Sequence, residues 1–184
     1  MHPTKPDWSL GGTQDNGTHL FKGGATFSQV YGGDGGYCAI SPSDPNIMYE
    51  EYVYLDINKS TNGGASWTSS SSGIDTSDPV LFIAPFVMDP TTPDILYAGT
   101  NRVYRTTNGA SNWAPMVTNG WAGEVSAIAV GPSTGNLVFA GTKRAEVYRC
   151  SNPSDANPSF DYAASGLPNK YVTSFAIAPG EQTV

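Results

Sequence analysis

Ser60-Thr61-Asn62-Gly63-Gly64-Ala65-Ser66-Trp67 returns as Thr106-Thr107-Asn108-Gly109-Ala110-Ser111-Asn112-Trp113, with the two tryptophans 46 residues apart. Asn and Ser side chains bond the local backbone, Gly accepts positive φ, and an aromatic ring closes the run, so the pattern reads as a hairpin tip whose ring drops into stacked sheets. Lys22-Gly23-Gly24-Ala25-Thr26-Phe27 reads as a shortened copy with Phe in the Trp place. In a fourth unit the pattern is lost, since Cys150-Ser151-Asn152-Pro153 leads through a longer loop to Phe160.

A second element repeats upstream of each tip. Pro3, Pro42, Pro90, Pro132 and Pro179 align in Pro and Asx turns, as in Ser41-Pro42-Ser43-Asp44-Pro45-Asn46 and Asp89-Pro90-Thr91-Thr92-Pro93-Asp94. Several units then close on a Gly-Thr step, at Gly12-Thr13, Gly99-Thr100 and Gly141-Thr142. Self-similarity at roughly 40 to 50 residues marks stacked arrays or propellers. Within a unit one short apolar run enters the turn (37–40, 86–88, 125–130, 172–177), a second follows (47–49, 95–98, 137–140), and then a third (103–105, 147–149). Such runs, rich in β-branched and aromatic residues and fenced by Gly, Pro, Asn and Ser, predict strands and no amphipathic helix. The expectation is an all-β chain of four-stranded antiparallel units, approximately 1–35, 36–80, 81–122 and 123–171. Residues 172–184 start or close a further unit. The first unit lacks its innermost strand, so the chain is either a partial ring or a closed ring of four.

Ser60, Asn62, Gly64 and Trp67, with Thr106, Asn108 and Trp113, resemble the Asp-box, or BNR repeat, with Asn in the usual Asp place. The resemblance is to the Asp-box β-propellers of sortilin-type receptors and xyloglucanase-type glycoside hydrolases. It implies four-stranded blades about an axis and an extracellular setting, with any leader outside these residues and further blades in a parent chain. Sialidases share the turn, but their site needs a cluster of arginines, and Arg102, Arg105, Arg144 and Arg149 all lie in or beside the strands of two blades.

Composition removes other classes. Nine Lys plus Arg against sixteen Asp plus Glu leave a net charge of −7, which cannot supply the clustered cations that nucleic-acid binding needs. The longest apolar stretch, 80–88, is broken by Pro85 and is far short of the roughly 20 residues of a membrane span. Cys38 and Cys150 lack metal or redox spacing and read as two packed strand cysteines. No metal or cofactor motif is present: the Gly32–Gly36 run is neither a Walker loop nor a dinucleotide fingerprint.

Strand alternation places the linker into each first strand and the loop between the second and third strands on one face, with the Asn-Gly tips opposite. That face carries Gln14, Asp15 and Asn16, and the Gly-rich linker around Asp34. Asp34, with two glycines on each side, has an unobstructed carboxylate. Asp34 and Asp15 are the candidate catalytic pair, because glycoside hydrolysis needs two carboxylates roughly 5 to 9.5 Å apart. Tyr37, Trp121, Glu124, Asn16 and Gln14 are the candidate ligand contacts. Two functions follow as expectations: an extracellular propeller module binding a polysaccharide or an extracellular protein through its loop face, or part of a glycoside hydrolase acting on β-linked polysaccharide.

Overall fold

The computed structural model describes residues 2, 4–164 and 166–180. The described residues form four antiparallel sheets in chain order and no helix. The first contains β1 (Trp8–Thr13), β2 (Gly17–Lys22) and β3 (Ser28–Tyr31). The second runs β4 (Cys38–Ile40), β5 (Met48–Glu51), β6 (Ile57–Ser60) and β7 (Thr68–Ser69). The third is β8 (Phe86–Met88), β9 (Leu96–Gly99), β10 (Val103–Thr106) and β11 (Ala114–Pro115). The fourth is β12 (Val125–Val130), β13 (Val138–Thr142), β14 (Val147–Cys150) and β15 (Asp161–Tyr162). Each sheet is an up-and-down ladder, and β4 touches β8 as β8 touches β12. First strands thus lie next to one another near an axis, and the sheets are blades of a β-propeller.

Alternation along the second strands builds the core between blades. Leu96 and Ala98 face the second blade with Tyr49, Ile57, Phe86, Tyr104 and Trp113. Tyr97 turns the other way, joining Val103, Val125, Ile128, Val138, Ala140 and Cys150 in the cluster between blades three and four. The end of each second strand meets the start of the next first strand at close quarters. A Cβ at Gly99 would lie 2.6 Å from Val125 Cγ1, which explains why that step is glycine. Lysines tie neighbours together: Lys22 Nζ donates to Gly63 O at 2.7 Å and Lys59 Nζ to Gly109 O at 2.7 Å.

The Asn-Gly tips are fastened as their residues require. Ser60 Oγ donates to Asn62 Oδ1 (2.9 Å) and accepts from Gly64 N (2.9 Å), while Ser66 N donates to Asn62 Oδ1 (2.9 Å). Thr106, Asn108, Ala110 and Asn112 repeat the arrangement at 2.8 to 3.2 Å. The fourth tip corrects the expectation that its pattern is lost. Cys150 Sγ lies 3.4 Å from Asn152 Oδ1, and Ser159 N donates to the same oxygen at 3.0 Å. A thiol replaces the hydroxyl and the inserted residues bulge out, keeping the two bonds to the Asn side chain. Both cysteines are free thiols.

Two expectations fail. Phe27, offered as a tryptophan equivalent, is 62% exposed against Phe21, whereas Trp113 is 1% exposed and donates Nε1 to Ser70 O at 2.8 Å. In ladder register the first blade has Phe21 where the others have Ser60 and Thr106, so no hydroxyl clamp draws the ring inward. Residues 172–177 enter no ladder. A first strand pairs only with its second strand, and none follows among the described residues. The segment still packs as a first strand does: Val172 N donates to Thr142 O (3.2 Å), Ser126 Oγ donates to Val172 O (2.7 Å), and Phe175 lies against Phe139. No β-pairing joins it to β1 among the described residues.

Candidate functional site

The loop face follows from the ladder directions. Asn46 and Gly63 are bonded on one side of the second blade, and Tyr54 and Phe82 on the other. Asp34 and the loop from Thr13 to Gly17 open on the same side as Tyr54, as alternation predicts. Gly35 N donates to Thr13 O at 3.0 Å, and Asp34 Oδ1 accepts from Asp15 N at 2.6 Å. That bond caps a turn in which Asp15 sits at φ 64°. Asp34 is half-buried and Asp15 exposed. The structure therefore joins the two sequence candidates through one carboxylate and one backbone amide. Asn16 Nδ2 donates to Gln14 O (3.1 Å), and Asn16 O accepts from Gln29 Nε2 (2.8 Å), holding the loop in shape.

Trp121 and Glu124 do not stand free beside this group. Trp121 stacks on Tyr148 at 3.9 Å and 8°, with Phe160 at its edge, and is part of the packing between blades three and four. Glu124 Oε1 lies 2.6 Å from Lys143 Nζ. Partial burial alone would raise the Glu124 carboxyl, but the bond to Lys143 and the Lys143 and Arg144 charges bring it below the usual range. Both candidates are committed to structural partners. Tyr37 remains exposed at 38%.

The groups that sequence reasoning missed lie beneath the face. Glu50 and Glu51, consecutive on β5, are fully buried at 0% exposure. Their register positions correspond to Gly11-Gly12, Ala98-Gly99 and Ala140-Gly141 of the other blades. Aligning the units at this step, where three carry only small residues, is the signal that could have found them. Glu50 Oε2 accepts from Thr18 Oγ1 of the first blade (3.0 Å), and its Oε1 accepts from Asn58 Nδ2 (2.8 Å). Glu51 Oε1 accepts from Ala84 N (2.9 Å) and Leu55 N (3.3 Å), and its Oε2 from Tyr37 N (3.2 Å). Burial pushes both carboxyls up to about 7, although these hydrogen bonds pull the other way.

Above Glu51 the loop Val53-Tyr54-Leu55-Asp56 closes with Asp56 N on Val53 O at 3.0 Å, and Tyr54 and Leu55 have φ of 54° and 59°. Two consecutive left-handed residues make the tight hairpin turn that favours Asn-Gly, and each side chain there costs about 1–2 kcal/mol. Leu55, 2% exposed in the core, and the Leu55 N bond to Glu51 hold the turn, leaving Tyr54 outside at 57% exposure. In the next linker Asp78 is pinned by Arg102, Thr100 and Tyr104, the last at 2.7 Å. Among the described residues no group of three or more His, Cys, Asp or Glu could hold a metal ion.

No protein-family model matches the chain, and no curated protein matches it. Among solved structures it is similar to an ancestral GH74 enzyme, at 20% identity and a TM-score of 0.71, over 93% of this chain and 26% of that one. It is also similar to the GH74 enzyme of Niastella koreensis, at 18% identity and 0.63, over 88% of this chain and 29% of that one. Sqt1 from Chaetomium thermophilum gives 11% identity and 0.65, over 94% of this chain and 47% of that one. The chain thus spans about a quarter of the GH74 enzymes and about half of Sqt1. At these identities the likeness is one of fold.

Proposed function

We infer that this chain is part of an extracellular β-propeller module of the Asp-box kind that binds a glycan through its loop face. One observation carries the reading. The face between the first two blades exposes neutral, hydrogen-bonding and aromatic groups (Gln14, Asn16, Tyr37) around the half-buried Asp34 carboxylate, while the polar side chains of the three clamped tips on the opposite face are consumed by their own turns. The serine-asparagine clamp supports the Asp-box assignment. The docking of Val172 and Phe175 on the fourth blade supports further blades in the parent protein, with the present blades at about 1–35, 36–80, 81–122 and 123–171.

A glycoside hydrolase part is the second reading, favoured by the likeness to two GH74 enzymes. It makes Asp34 and Asp15 the paired acids. The Asp15 amide on Asp34 favours binding over catalysis, because it commits one oxygen of the proposed acid to a turn.

Titration calorimetry of the chain against a panel of neutral and acidic polysaccharides, with reducing-end release followed in parallel, separates the two. Binding without release, weakened in Asp34→Asn, is the expected result. Release abolished in Asp34→Asn would replace the module reading with the enzyme. Absence of binding to every polysaccharide would remove both.

A further inference from the structure

We propose that Tyr54 and Phe82, with Tyr37 beside them, form a stacking platform for a neutral pyranose ring, positioned from below by the buried Glu51 carboxylate. This rests on the glycan-binding reading and adds a site to it.

Glu51 stands where the other blades carry Gly12, Gly99 and Gly141, and its carboxylate collects three backbone amides from three separate segments. Each segment bears one exposed ring. Tyr37 N is itself a donor, Leu55 follows Tyr54, and Ala84 lies two residues after Phe82. A glycine at this position could gather none of them. Tyr54 N donates to Phe82 O at 3.0 Å, and the two rings meet edge to face at 5.4 Å and 84°. The left-handed turn at Tyr54 and Leu55 buries the leucine and holds the tyrosine outward. Strain of this kind persists only where surroundings impose it, and it collects at binding sites.

The chemistry of the ligand follows from what surrounds the rings. Residues 32–37, 52–56 and 81–84 contain no Lys or Arg, and their only charges are Asp34 and Asp56. An anionic ligand is repelled, whereas sugar hydroxyls find acceptors and the C–H face of a pyranose finds π surface. The area points the same way. With Tyr54 57%, Phe82 41% and Tyr37 38% exposed, the three residues offer about 270 Å² in all, backbone included. That suits a sugar ring and is well short of the roughly 800 Å² per partner of a stable protein interface.

The test uses the 184-residue chain, titrated with cellohexaose, mannohexaose and xylohexaose, with hexagalacturonate as the anionic comparator. Affinity is read by calorimetry and by ¹H–¹⁵N amide shifts. At least one neutral hexasaccharide binds and moves the Tyr37, Leu55 and Ala84 amides, and hexagalacturonate binds more weakly. Tyr54→Ala and Phe82→Ala each weaken binding about tenfold, and Tyr54→Phe stays within about threefold. Glu51→Gln, folded by circular dichroism, shifts the same three amides without ligand and weakens binding.

Neutral binding that survives both alanine variants would overturn the platform while leaving the glycan reading in place. No binding by any of the three would overturn both. A preference for hexagalacturonate, or self-association abolished by Tyr54→Ala in sedimentation, would reassign the rings and overturn the proposal.

Discussion

Glu50 and Glu51 make stability fall as pH rises through neutrality. In the folded chain both carboxyls are pushed up to about 7, from an ordinary value of 4.5 that the unfolded chain retains. Between those values the folded state holds protons that the unfolded state releases, so protonation favours folding. The contribution is complete below about pH 4.5, is lost as pH rises through 7, and changes little beyond about pH 8. The rise from 4.5 to about 7 corresponds to about 3 kcal/mol for each group at the limit. Over pH 5.5 to 8, with the pair adjacent and partly screened, about 2–4 kcal/mol remains for both together. For a chain of this length that is a fall in Tm of roughly 5–15 °C. Urea denaturation at pH 5.5, 6.25, 7 and 8 measures it, and the Glu50→Gln/Glu51→Gln double variant, which cannot titrate there, supplies the control. The wild type loses stability across the series while the variant stays flat. A wild-type curve that rises with pH, or a variant with the same slope, would refute the placement of two buried carboxyls between blades.

Three further outcomes follow from the packing. Lys59→Met removes the 2.7 Å bond to Gly109 O and the cation over the Tyr49 ring, costing about 1.5–3 kcal/mol by denaturant titration. Ser60→Ala and Cys150→Ala both weaken an Asn clamp, but the hydroxyl accepts from Gly64 N as well as donating to Asn62. Ser60→Ala therefore costs about 1–2 kcal/mol and Cys150→Ala less at the turn itself, seen as a larger rise in amide hydrogen exchange at residues 62–66 than at 152–159. Trp121→Ala removes a stacked ring from the interface of blades three and four, lowering stability by about 3–5 kcal/mol; loss of glycan affinity without loss of stability would contradict that assignment.

Much of the fold was legible because repeats report their own geometry. The positions of β4, β8 and β12, the second strands after them, the third strands β10 and β14, and the face on which each loop opens all follow from aligned prolines, Gly-Thr steps and a period of two. The exposure of Phe27 and the packing of Trp121 were not legible for one reason: whether an aromatic is exposed depends on neighbours brought in only by the fold. The fourth tip was hidden by the residues inserted between Asn152 and Ser159. Asp34 and Asp15 were rightly placed on one face, but the amide that joins them belongs to a turn whose handedness appears only once the chain is folded.

Sequence alone determined that this chain builds successive antiparallel blades, since short alternating strands and Asn-Gly tips at a near-constant spacing have few other ways to bury their apolar faces. Tertiary structure alone decided that Glu51 is a hub, because its three amide donors lie 14 residues before it, 4 after it and 33 after it. Local sequence encodes which bonds a residue can make. The burial that makes a carboxylate expensive, and the distant N–H groups that make it tolerable, exist only when neighbouring blades close over it.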